Sequence, residues 1–132
     1  RGALLGRADV SGASFRSAKM DDTDLERSIA EGADFSGARM PYADLGRVRA
    51  SGASFRDADM TGVRLSSADL IGADLTGADL TGAHLHRANF SGADLSGAKG
   101  LTERRLAQAC GDAATRLPEG FVIQPCSSQP AE

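Results

Sequence analysis

Few side chains in this 132-residue chain could carry chemistry: two histidines, two cysteines, a recurrent arginine and a recurrent aspartate. His84 and His86 flank Leu85, so in an extended segment both imidazoles point to the same, outer side. Paired imidazoles can begin a metal site, with Asp69 and Asp79 in neighbouring repeats. Two solvent-facing histidines need no ion, however, and no metal is expected. Cys110 and Cys126 lie 16 residues apart near the C-terminus. Two thiols are too few to hold zinc. The expectation is a disulfide locking the C-terminal segment, worth about 3 kcal/mol for such a loop and requiring an oxidising compartment. The rival is two buried free thiols in a cytosolic protein. No cysteine stands close in sequence to a histidine, and no strand-to-helix GxGxxG phosphate loop is present. The chain is therefore not expected to be an enzyme or to carry a cofactor.

Charge and composition exclude further classes. Lys and Arg number 15 against 18 Asp and Glu, for a net charge of −3. That near balance argues against the basic footprint of a nucleic-acid binder and against a strongly acidic steering field. No run of about 18 apolar residues exists, so no membrane insertion is expected. Aromatics are 5% with no Trp, and glycines number 16. An ordinary core of this size would use more aromatics, so something else must organise the apolar side chains.

The organising feature is a period of five. Every residue whose number is a multiple of five, from Leu5 to Leu95, is apolar. Two residues earlier the chain is small: Ala fills 16 of the 20 positions from Ala3 to Ala98, the exceptions being Thr23, Ser28, Val48 and Val63. One residue before the centre, Asp recurs (Asp9, Asp24, Asp34, Asp44, Asp59, Asp69, Asp74, Asp79, Asp94), and two residues after it Gly is commonest. The unit reads Ala-Asp-Leu-x-Gly and is cleanest in ADLIGADLTGADLTGAHLHRANFSGADLSGA, residues 68–98. This period fits neither an α-helix nor plain strand alternation. It fits a chain that turns a corner every five residues, with one large and one small side chain pointing inward from each side. Four sides close a square coil of 20 residues, and stacked coils would pair about 4.8 Å apart, like neighbouring strands.

The sequence resembles the pentapeptide repeat family, whose consensus is close to Ala-(Asp/Asn)-Leu-x-x, over residues 2–99. The resemblance implies an all-β fold, a right-handed quadrilateral β-helix. A second period in the residues supports four sides. Phe15, Phe35 and Phe55 are 20 apart, as are Met20, Met40 and Met60, and Leu25, Leu45 and Leu65. The structural core should therefore be a Phe ladder, a Met ladder, a Leu ladder and a thin face at Ala30 and Ala50, in about five coils. Gly12, Gly32, Gly52, Gly72 and Gly92 line one corner.

The repeat occupies residues 1–100, a cap 101–126 and a disordered tail 127–132. In the cap, Thr102 is expected to N-cap a helix of about two turns, with Leu101, Leu106 and Ala109 on one side and Gly111 as its stop. A turn is expected at Pro118-Glu119-Gly120, followed by a short apolar segment, Phe121 to Ile123. Arg1 stands directly inside the repeat without an initiator Met, so either residues precede it or this end stacks on a partner; the first is the expectation.

The outward residues carry the functional readings. Arg7, Arg27, Arg47 and Arg87 share one corner phase, with Ser67 in the gap: a stripe for a partner or anion, or a solvated corner paired with Asp24, Asp44 and Glu26. Ile29 and Ile71 occupy outward phases, and Tyr42 follows Pro41; these are candidate contact points or isolated apolar residues. Asp57, Asp59, Asp69, Asp74, Asp79 and Asp94 crowd the later repeats. Some relatives of the resembled family mimic duplex DNA and bind DNA gyrase through an acidic face. Here Arg39, Arg56 and Arg64 interrupt, and the Asp before each centre serves the fold by hydrogen-bonding backbone.

The functional expectation is a non-enzymatic protein–protein interaction or scaffold module, an accessory subunit of a larger bacterial assembly with an unknown protein partner. The alternatives are a DNA-mimic protein binding gyrase in the cytoplasm, and a purely structural solenoid. No nucleic-acid partner is expected. The tail QACGDAATRLPEG…PC resembles tails of exported proteobacterial members of the family, which favours a periplasmic location over the cytoplasmic alternative.

Overall fold

A computed structural model describes residues 2–126. The chain turns a corner at every fifth residue. At each corner, from Leu5 to Ala98, the N–H after the corner donates to the carbonyl of the preceding centre, as Ala8 N does to Leu5 O at 3.1 Å. The third residue of each turn has φ between 56° and 71° at all twenty positions from Gly2 to Gly97. Positive φ at that position alone defines a type II turn. Glycine adopts it freely, which accounts for the column Gly12, Gly32, Gly52, Gly72 and Gly92. At the first four of these an added Cβ would meet nothing within 4 Å, so dihedral preference rather than crowding selects the glycine.

Between corners, each side pairs in parallel with the side 20 residues on, from Leu4 with Asp24 through Asp79 with Lys99. The rung is regular: Leu25 N donates to Asp44 O at 2.8 Å, Arg27 N to Gly46 O at 2.9 Å, and Asp44 N to Thr23 O at 2.9 Å. The product is a four-cornered solenoid, and its four sides are named here after their inward columns. The Leu face carries Leu5, Leu25, Leu45, Leu65 and Leu85. The Ala face carries Val10, Ala30, Ala50, Leu70 and Phe90. The Phe face carries Phe15, Phe35, Phe55, Leu75 and Leu95, and the Met face Met20, Met40, Met60 and Leu80.

The centres from Met20 to Leu95 and the alanines beside them are buried. Phe15, Phe35 and Phe55 stack with centroids 5.0 and 4.9 Å apart and planes within 6°. One level is built of Leu45, Ala50, Phe55 and Met60, and the next of Leu65, Leu70, Leu75 and Leu80. The combination Ala plus Phe thus occupies the space that two leucines fill one coil later, so the interior stays close-packed. Thr23 and Ser28, which replace alanine, are buried with hydroxyls that find no partner among the described residues.

The cap differs from expectation in its helix. The segment α1, Glu103–Leu106, is a single turn, N-capped by Thr102 Oγ1, which accepts from Arg105 N. It stops at Ala107 because the chain returns to the solenoid. Gln108 O accepts from Arg87 N, Cys110 N donates to Ala88 O, and Cys110 and Arg116 pair with Asn89 and Asp94. Gly111 is therefore not the helix stop; a Cβ there would lie 2.6 Å from Thr115 Oγ1 and 3.1 Å from Ile123 Cγ2. Pro118 to Phe121 form the expected turn, with Gly120 at φ 91° and Phe121 N donating to Pro118 O. Leu106 and Ala109 are buried, and Leu101, Leu117 and Ile123 pack against the core. Cys110 and Cys126 form a disulfide. The proposed disordered tail, 127–132, lies outside the described residues.

Two outcomes follow from this packing. Ala50→Leu alone overfills the Phe55 level and should cost roughly 1–3 kcal/mol, whereas Ala50→Leu with Phe55→Leu reproduces the Leu70 and Leu75 pair of the level above. Urea denaturation of the two single variants and the double should show the double clearly more stable than the sum of the singles; additivity would contradict the shared-volume account. Cys126→Ser should lower unfolding free energy by about 3 kcal/mol, with the loss reproduced by reductant on the parent chain.

Candidate functional site

The outward side chains are sorted by the same phase arithmetic that sorts the core. All nine recurrent aspartates do one job: each accepts the backbone N–H two residues on, from Asp9 with Ser11 at 3.1 Å to Asp94 with Ser96 at 2.9 Å. Asn89 does the same for Ser91. The carboxylate thus satisfies a corner N–H that the ladder does not use. The six later acidic residues are spread over the solenoid. Asp69 lies on the Ala face, Asp74 and Asp94 on the Phe face, Asp59 and Asp79 on the Met face, and Asp57 at the corner between the last two. Arg56 bonds Asp74 at 3.4 Å, and the acidic groups form no single continuous face.

The arginine stripe is real as geometry. Arg7, Arg27, Arg47 and Arg87 stack at the corner between the Leu and Ala faces, each with positive φ, as does Ser67 between them. A non-glycine residue there costs roughly 1–2 kcal/mol. A groove of about 380 Å³ runs along this corner, its lining including Arg47, Arg87, Glu26, Asp44 and His86. The Asp24, Glu26 and Asp44 carboxylates lie within 4.8 Å of one another at its lower end, and Arg27 stands 3.9 Å from Glu26.

Ile29 and Ile71 both sit on the Ala face but are not contiguous. Ile29 pairs with Arg49, which pairs with Asp69, two residues before Ile71, and the Arg49–Glu31 pair at 3.5 Å lies between them. Ile29 is half-buried and Ile71 exposed. His84 and His86 are exposed on the Leu face. The neighbour on the rung below His84 is Arg64, while Asp69 and Asp79 belong to other faces, so no carboxylate from those two completes a metal site.

Sequence reasoning named Tyr42 as a candidate contact point but missed the groove around it. A groove of about 550 Å³ follows the corner between the Met and Leu faces, lined by Tyr42, Gly62, Gly82, Arg64, His84 and Arg105 among others. Tyr42 holds φ 62°, and its ring covers Gly62, where a Cβ would come within 2.5 Å of the ring. The signal was present: Tyr42 shares its phase with Gly62 and Gly82. Arg105 gave none, because it reaches the corner only through the short α1 turn.

These features define a β-solenoid built of stacked four-sided coils and closed at one end by a disulfide-linked cap. The chain belongs to the pentapeptide repeat family: the family model for pentapeptide repeats matches in eight copies over residues 1–29, 31–66 and 64–99. Among solved structures, the pentapeptide repeat protein Rfr23 from the cyanobacterium Cyanothece 51142 is 20% identical, with 88% of each chain covered and a TM-score of 0.50, which shows a shared fold. The pentapeptide repeat protein alr5209 from Nostoc Pcc 7120 is 37% identical over 89% of this chain and 79% of its own, with a TM-score of 0.37. QnrB1, a plasmid-mediated fluoroquinolone resistance protein, is 22% identical over 86% of this chain and 67% of its own, with a TM-score of 0.44. No curated protein matches the chain. Among the described residues, no helix is long and apolar enough to cross a membrane.

The aspartate bonds make stability acid-sensitive. The hydroxyls of Ser36, Thr81 and Ser96, and then the N–H groups of the same residues, hold Asp34, Asp79 and Asp94 below the ordinary carboxylate range. The Ser11 and Gly92 N–H groups do so for Asp9 and Asp112. A carboxylate whose folded pKa is depressed adds stability above its unfolded value of about 3.9, and loses it as pH falls through the lower folded value. Melting temperature should stay level from neutral pH to about 5 and decline below it. Asp34→Asn, Asp79→Asn and Asp94→Asn together keep an acceptor oxygen, as Asn89 does, and should flatten that acid limb in thermal scans.

Proposed function

We propose that this chain is a non-catalytic interaction module: a right-handed solenoid of about five coils that offers one face to a protein partner, as an accessory subunit of a larger bacterial assembly. The observation that carries this reading is the Leu face. Its outward groups are divided along the axis, with Asp24, Glu26 and Asp44 below and Arg64, His84 and His86 above, beside the arginine corner. The ladder holds each of these on a fixed backbone, so docking costs little ordering entropy. Retaining arginine at four left-handed corner positions, where the next corner uses glycine, is consistent with selection for the stripe. The dispersal of the acidic groups over other faces offers the DNA-mimic alternative no comparable surface.

The proposed setting is an oxidising compartment such as the periplasm, which the Cys110–Cys126 link supports. Protein purified from its native source should gain the mass of two hydrogens on reduction; two free thiols there would overturn the location.

The surface is tested by placing a photo-crosslinking residue at Ser66 on the Leu face and, separately, at Ser96 on the Phe face, in the native cell. Ser66 should capture the same protein repeatedly and Ser96 should not. Failure at both positions, or equal capture at both, would sink the Leu-face assignment and favour a purely structural solenoid.

A further inference from the structure

The corner between the Met and Leu faces changes character from bottom to top. Asp22, Tyr42, Gly62 and Gly82 succeed one another at its turn position. At the lower levels each donates its N–H to a carbonyl one coil on: Asp22 N to Pro41 O at 3.1 Å, Tyr42 N to Thr61 O at 2.8 Å, Gly62 N to Thr81 O at 2.8 Å. The chain leaves the repeat before it can offer Gly82 the same partner, and the Gly82 N–H has no acceptor among the described residues.

The neighbouring carbonyl is treated differently. Rung N–H groups serve Ala43 O and Val63 O below, from Arg64 and His84. At Ala83 O the missing N–H is replaced by Arg105 Nη1, at 3.1 Å. This bond anchors a guanidinium at the top of the groove and, among the described residues, leaves most of its donors unused. Arg64 lines the same groove and makes no ion pair among the described residues, although Asp44 occupies the rung below it. His84 stands on the rung above Arg64.

Two arginines, an imidazole and an unused backbone N–H therefore line the groove over a glycine floor, Arg64 standing between this groove and the one at the arginine corner. Glycine lets a ligand approach the backbone closely. Guanidinium groups recognise carboxylates with paired, charge-assisted hydrogen bonds. The one carboxylate of the lining, Asp22, lies at the opposite end beyond the Tyr42 ring, which gives the groove a direction. Its volume of about 550 Å³ suits a few side chains rather than a flat contact.

We propose that this corner is the specificity site of the module, and that it takes carboxylate side chains of an acidic segment on the partner, with an adjoining apolar or aromatic group against Tyr42. The proposal rests on the interaction reading above and names the partner chemistry which that reading leaves open.

The test is an amide NMR titration of the ¹⁵N-labelled chain at low ionic strength with a hexaglutamate peptide, and in a second arm with inorganic phosphate. Hexaglutamate should shift Gly82 and His84 before any residue of the arginine corner. Arg64→Gln should weaken that binding roughly tenfold or more, while Arg16→Gln, on the Phe face, should leave it unchanged. Arg105→Gln tests the second guanidinium, with Arg105→Lys separating lost charge from a loosened cap. Absence of shifts at Gly82, unchanged binding in Arg64→Gln, or a response to phosphate without one to hexaglutamate would each overturn the assignment. If hexaglutamate fails while Ser66 still captures a partner, the interaction reading stands and only the acidic chemistry falls.

Discussion

Everything in this molecule depends on one backbone constraint, a left-handed residue at every fifth position. It sets the type II turn, and the turn sets the side length. The side length leaves room for one large and one small inward residue, which is why a small residue, alanine at 16 of 20 positions, stands two before the centre. Twenty positions from Gly2 to Gly97 hold this conformation without a break, and nine of them are not glycine. Each of those nine is a local cost of roughly 1–2 kcal/mol. The ladder tolerates it because the corner N–H and the centre N–H donate to the next coil, the carbonyl two residues before the centre accepts from it, and the centre carbonyl closes the turn itself.

The same regularity makes the fold legible in the sequence. The apolar phase, the alanine phase and the 20-residue return of Phe and Met specify which residues are inside and which lie above one another. The buried column and the stacked Phe15, Phe35 and Phe55 rings follow that arithmetic directly. The role of the aspartates was legible too, because a short acceptor one residue before a centre is well placed to reach the N–H two residues on. What was not legible is the cap. Thr102 announces a helix, and Gly111 looks like its end, but the rungs above Arg87 and Ala88 claim the chain at Gln108 and Cys110. Ladder pairing outcompetes a second helical turn, and local propensity says nothing about that competition.

The candidate site follows the same division. The arginine corner was visible because it obeys the period. The Tyr42 groove was only half visible: Tyr42, Gly62 and Gly82 share a phase, yet their meaning depends on Arg105, which lies outside the period. Ile29 and Ile71 illustrate the opposite limit. The period places both on one face, but the Arg49–Glu31 pair separates them.

A perfect repeat would give every level of a corner the same chemistry and hence no place on it that differs from the next. Distinction has to come from where the repeat is broken. At the Met–Leu corner two breaks coincide: an aromatic ring stands where glycine is the rule, and two levels higher the chain departs into α1. The departure leaves one backbone N–H without its carbonyl and fills the neighbouring gap with a guanidinium. Rungs repeat about every 4.8 Å, so the Tyr42 level and the Gly82 level are separated by roughly 10 Å of glycine floor. The end of the ladder therefore does more than cover an exposed edge. It converts hydrogen-bonding groups that serve only the backbone elsewhere into groups that can face a ligand, and at the Met–Leu corner it does so beside an aromatic ring and a guanidinium.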